Sequence, residues 1–169
     1  MKNKYYIIAI VILAIIVILV FREPVERKLM EQGLIGDFKY FKYSEFDSPD
    51  MPGSGEKYMN KDFIKMLDKA RGMAGVPFKI NSGYRTTKRN EDVGGVADSA
   101  HTKGLAVDIS TTPETKKVIL DSLLKVGFVR VGMGNNFIHV DNDKSKPQYV
   151  AWAYTSTGTK PISFPPNIT

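Results

Sequence analysis

A chain of 169 residues has room for one compact domain with appendages, not for two full domains. Its lack of cysteine excludes disulfides and thiolate metal sites, so any metal must be held by His, Asp or Glu. The net charge of +6 suits an anionic surface such as wall polymer or phospholipid, but no Lys/Arg block or nucleic-acid motif accompanies it, and no nucleic-acid partner is expected.

Tyr5 to Phe21 is an uncharged run of Ile, Val, Leu and Ala. As a helix it extends roughly 25 Å, enough to span a hydrocarbon core with slight thinning. It exceeds a signal-peptide apolar region and lacks a small-residue cleavage site. The expectation is an uncleaved single-pass anchor over residues 1–21, with Lys2 and Lys4 holding the N-terminus in the cytoplasm. The remainder would face the periplasm or outer surface. Residues 22–36, with Pro24 and mixed charges, read as a juxtamembrane stalk.

A domain is expected over 37–155. Its aromatic opening (Phe38, Tyr40, Phe41, Tyr43, Phe46) is expected to pack onto the core, and Ser48 to Gly55 reads as a loop. Asn60 caps a helix to about Arg71 with Phe63, Met66, Leu67 and Ala70 on one face. Phe78–Ser82 alternates as a strand, and Thr87–Val93 reads as a short helix stopped by Gly94-Gly95. Leu105–Ser110 is a strand; Thr112-Pro113-Glu114 starts a helix that Gly127 ends. Phe128–Met133 and Phe137–Asp141 form a hairpin across Gly134-Asn135-Asn136, and Val150–Tyr154 is a last strand. Residues 156–169 read as an irregular, proline-rich tail. The pattern is α+β: a small, mainly antiparallel sheet with helices packed against it.

The chain has two histidines. Alternate side chains of a strand share a face, so Asp108 lies on one face and Leu105, Val107 and Ile109 on the other. His139 likewise shares a face with Phe137 and Asp141. If the two strands are neighbours, Asp108 and His139 converge, and the short Gly104-containing loop can fold His101 over the same spot. Two histidines and a carboxylate make a three-ligand site with a fourth position open, the pattern of catalytic zinc. Ordinary hydrogen-bonded histidines are the alternative reading.

The segment from Ser99 to Asp108 resembles the Ser-x-His-x-x-Gly-x-Ala-x-Asp signature of the zinc D-Ala-D-Ala carboxypeptidases, which share the hedgehog/DD-peptidase fold. Ser82-Gly83-Tyr84-Arg85 is similar to that family's Ser-Gly-Tyr-Arg motif, and His139-Val140-Asp141 to its His-x-Asp ending. Trp152-Ala153-Tyr154 resembles its closing segment, so the likeness runs from Phe38 to Tyr154. It implies Zn2+ held by His101, Asp108 and His139, with Arg85 binding substrate or the developing anion. It implies a hydrolase of peptidoglycan stem peptides, as carboxypeptidase or endopeptidase; a monomer is expected. Ser99 would orient the His101 loop.

Several relatives carry an acidic residue three positions before the last histidine, where this chain has Asn136. Asp141, roughly 7 Å along the strand from His139, is the substitute expected as acid/base. The other role open to it is orienting a zinc ligand; Glu91 and Asp98 are weaker candidates for the base. The alternative function is a zinc-containing peptidoglycan-binding module with little or no turnover.

Overall fold

The computed structural model describes residues 8, 10–14, 16–17, 22 and 37–167. The chain divides into two units, Met1–Lys39 and Tyr40–Thr169. Most of the expected anchor and stalk lies outside the described residues. Those described within 8–22 are helical, with Ile10 66% and Leu13 61% exposed. Among the described residues no helix is long and apolar enough to cross a membrane.

The second unit is α+β. A single 3-10 turn at Tyr43–Phe46 leads to helices α1 (Ser54–Tyr58) and α2 (Lys61–Ala74), strand β1 (Ile80–Ser82) and helix α3 (Thr87–Asp92). Strand β2 (Ala106–Ser110), helix α4 (Pro113–Lys125), and strands β3 (Arg130–Met133), β4 (Phe137–Asp141), β5 (Val150–Thr155) and β6 (Gly158–Ile162) follow. Asn60 caps α2 by accepting from the Phe63 N–H, and Thr112 caps α4 by accepting from Thr115. The buried faces of these helices, Phe63, Ile64, Leu67 and Ala70 on α2 and Ile119, Leu120 and Leu123 on α4, form the core with one face of the sheet. That sheet face supplies Val107, Ile109, Val131, Ile138 and Val140, all fully buried. Phe41 and Phe46 of the aromatic opening are buried, as expected, whereas Tyr40 is 36% exposed.

The strand order is β1-β2-β4-β3-β5-β6. All pairs are antiparallel except β3–β5, because residues 142–149 carry the chain from β4 across the end of β3 and lay β5 along its far side. The sheet is therefore mixed. Two further differences concern ends. Gly53, with φ of 81°, opens α1 inside the stretch expected as loop. Gly158–Ile162, expected as irregular, hydrogen-bonds to β5 at the sheet edge, where Pro161 has no outer neighbour to which it must donate.

One register row fixes the site. Ser82 pairs with Asp108, Asp108 with His139, His139 with Gly132, and Gly132 with Trp152. These five positions lie side by side on the face opposite the helices.

Candidate metal centre

Asp108 and His139 face each other directly across β2 and β4. His101 arrives from the loop before β2, where Ser99 holds the turn: its hydroxyl accepts from the His101 N–H at 3.3 Å and its carbonyl from the Thr102 hydroxyl at 2.8 Å. The loop then bends at Gly104, whose φ is 67° and whose added Cβ would stand 2.0 Å from the Tyr58 carbonyl oxygen. Thus the glycine between His101 and Asp108 is required both by its dihedral and by the closeness of α1.

Three atoms converge: His101 Nε2, His139 Nδ1 and Asp108 Oδ1. They lie 3.3 Å (His101 to His139), 2.8 Å (His139 to Asp108) and 3.4 Å (His101 to Asp108) apart. Zinc bonds of about 2.0–2.1 Å in a tetrahedron separate neighbouring ligand atoms by about 3.3 Å. The donor set therefore fits Zn2+ in chemistry and in spacing, with each residue offering one ligand atom.

Each ligand is oriented from behind. His101 donates from Nδ1 to the Gly83 carbonyl at 2.7 Å, which leaves Nε2 as the lone-pair nitrogen. Asp108 Oδ2 accepts from Arg85 Nη2 at 2.6 Å, and Arg85 Nε donates to the Ser82 hydroxyl at 2.8 Å. His139 Nε2 faces Asp141 Oδ2 at 3.3 Å, leaving Nδ1 for the metal. The remaining oxygen of Asp141 accepts from Arg130 Nε at 2.7 Å and from the Asp143 N–H at 3.1 Å.

Electrostatics follow this layout. Burial disfavours the charged form of His139, but Asp108 and Asp141 outweigh it and push its pKa up to about 9 without metal. Burial lowers that of His101. It would raise the Asp108 and Asp141 carboxyls, yet His101 and His139 hold the first, and His139 and Arg130 the second, well below the usual carboxylate range.

The centre lies in a cleft of about 670 Å3. Trp152 packs against His139 at 5.5 Å between ring centroids, and Arg130 sits over the indole. This is possible because Gly132 separates them: a Cβ there would stand 2.7 Å from Trp152 Nε1 and from Tyr154 Cε2. Tyr154 leans on Phe137 at 5.0 Å and completes the aromatic wall. Beyond the row, Lys103 joins Asp98 to Asp143 at 2.5 and 2.8 Å, tying the His101 loop to the segment after β4.

The structure brings His101, Asp108 and His139 together around one point, with Arg85 behind Asp108 and Asp141 behind His139. Tyr84 instead stacks on Tyr58 at 4.7 Å and does not border the cleft, nor do Glu91 and Asp98. Arg130, Trp152 and Tyr154 were not singled out from the sequence as site residues. The signal for them is their parity on β3 and β5, legible only once β3 is known to pair with β4 and β5 with β3.

No curated protein matches the chain. The Peptidase M15 family model matches residues 39–141, a span that contains His101, Asp108 and His139. The chain therefore belongs to the M15 family of zinc D-Ala-D-Ala carboxypeptidases, and Zn2+ is its metal.

Proposed function

We propose that this chain is a membrane-anchored hydrolase of D-alanine-containing peptidoglycan peptides. The observation that carries the reading is the triangle of ligand atoms at tetrahedral spacing, set in a cleft of about 670 Å3. Bound there, zinc supplies a Lewis acid that activates water and polarises the scissile carbonyl.

The chain's own residues do the rest. Arg85 fixes Asp108 through Nη2 and borders the cleft, where its charge favours a substrate carboxylate or a developing oxyanion. Burial raises the Tyr154 hydroxyl pKa, so it stays protonated and is a hydrogen-bond donor in the cleft wall. Trp152 covers one side of His139 and excludes water from it. Of the two roles open to Asp141, positioning suits the geometry: its oxygens are spent on His139, Arg130 and a backbone amide, and it faces the imidazole nitrogen away from the ligand cluster.

The apolar run 5–21 supports an anchor, since its described side chains are apolar and exposed on a helix. We place the N-terminus in the cytoplasm and the catalytic domain outside. Incubation of the full chain, in detergent and with zinc, with purified stem peptides tests this reading: mass spectrometry should detect zinc-dependent loss of D-alanine or of a crosslink.

Asn136 keeps a second reading open. With no carboxylate at that position and Asp141 engaged, a zinc-containing peptidoglycan-binding module that turns over little or nothing is the alternative. Zinc bound at one equivalent, with peptides bound and left uncut, would favour it.

A further inference from the structure

The row of site residues does not end at Asp108. One strand further out, under Ser82 and the 3-10 turn, lies a second cavity of about 380 Å3. It shares Arg85, Val93, Asp108 and Phe137 with the metal cleft, so the two cavities meet beside the ligands. The charged groups of its wall are unequal in what they have left to offer. Glu45 accepts from the Lys42 N–H, and Asp47 accepts from Gly53 N–H with one oxygen and from Gly55 N–H with the other. Arg85 is bound to Asp108 and Ser82.

Arg89, on α3, is different. Its main-chain N–H goes to Thr86, but among the described residues no acceptor takes a hydrogen bond from its guanidinium. The carboxylate it influences electrostatically, Asp50, has its two oxygens on the hydroxyls of Ser48 and Thr86. A planar fork of five donors bordering a cavity beside a peptidase centre is suited to a carboxylate, which it can grip with two parallel bonds.

We propose that this second cavity binds a carboxylate-bearing residue of the peptide substrate, anchored by Arg89. Strands lie about 4.8 Å apart, so the Ser82 side of the row is about 5–10 Å from the ligand atoms. An extended peptide covers that in two or three residues. A substrate seated there extends two or three residues from the cut bond on that side of the metal centre. The inference rests on the proposed peptidase reading and deepens it by naming its substrates as stem peptides that carry free carboxylates.

Four binding measurements test it. The full chain in detergent, stripped of zinc so that nothing is cut, is titrated calorimetrically as wild type and as Arg89→Gln. The titrants are a crosslinked stem-peptide dimer and the same dimer with its free carboxylates amidated. The expected result is about a tenfold weakening from either change alone and little further loss from both together. Two independent losses that multiply, or an equal effect of Arg89→Gln on both peptides, would overturn the site. Arg89-dependent binding without cleavage by the zinc-loaded chain would sink the hydrolase reading and leave the site standing.

Discussion

Replacing Asp141 by Asn separates the two roles that the sequence leaves open for it. The carboxylate accepts from His139 Nε2 at 3.3 Å and from Arg130 Nε at 2.7 Å, with the Asp141 side chain 3% exposed. An amide keeps the shape but turns a donor toward one of these two donors. Loss of a carboxylate behind a ligating histidine weakens metal binding about 10–100-fold, or about 1.4–2.7 kcal/mol. Leaving the buried Arg130 guanidinium without its counter-charge costs about 3 kcal/mol of fold stability, or roughly 10 °C in Tm for a domain of this size. Zinc affinity by competition with a chromophoric chelator, Tm by calorimetry and kcat at saturating zinc make up the assay. Positioning predicts weaker zinc, a lower Tm and a kcat within about tenfold of the parent once zinc is restored. A kcat lowered by about 10²–10⁴ at full zinc occupancy, with affinity unchanged, would instead make Asp141 the proton acceptor.

Gly132→Ala places a methyl 2.7 Å from Trp152 Nε1 and Tyr154 Cε2, so it should cost about 1–3 kcal/mol and shift the emission of Trp152, the chain's single tryptophan. An unchanged spectrum and Tm would refute the packing. Tyr154→Phe removes one donor from the cleft wall and should lower kcat about 10–100-fold with zinc affinity intact, read from steady-state kinetics. Burial acts to raise the Asp143 carboxyl, but Lys103 and Ser145 hold it down to about 2. A depressed carboxyl stabilises the fold above the unfolded-state value near 3.9 and loses that contribution as pH falls through 2. Because Lys103 is 34% exposed, the effect is set at about 1–2 kcal/mol. Asp143→Asn should therefore flatten the stability profile between pH 4 and 2 by that amount, measured by denaturant unfolding.

What the sequence could reveal depended on whether a feature is local. The alternation of Leu105–Ser110 and Phe137–Asp141 put Asp108 and His139 on polar faces, and the structure pairs them directly. His101 was legible through the glycine that follows it. The partners of Asp141 were not, because same-face spacing does not say which imidazole nitrogen meets the carboxylate. That depends on the ring's rotation, which the Asp108 contact on the other nitrogen sets. Arg130 and Trp152 become site residues only through the order β4-β3-β5, and the parallel β3–β5 pair that creates it is a long-range choice. Gly158–Ile162 is not legible as a strand because Gly-Thr-Lys-Pro-Ile has no apolar alternation, being exposed along most of its length.

Zinc-dependent peptidase action is tested by hydrolysis of purified peptidoglycan stem peptides by the full chain, in detergent and with one equivalent of zinc, followed by mass spectrometry. The expected products are shortened by D-alanine or split at a crosslink, abolished by chelator and by His101→Ala, and restored by zinc in the chelated wild type. One zinc bound per chain with every peptide left intact would contradict peptidase action.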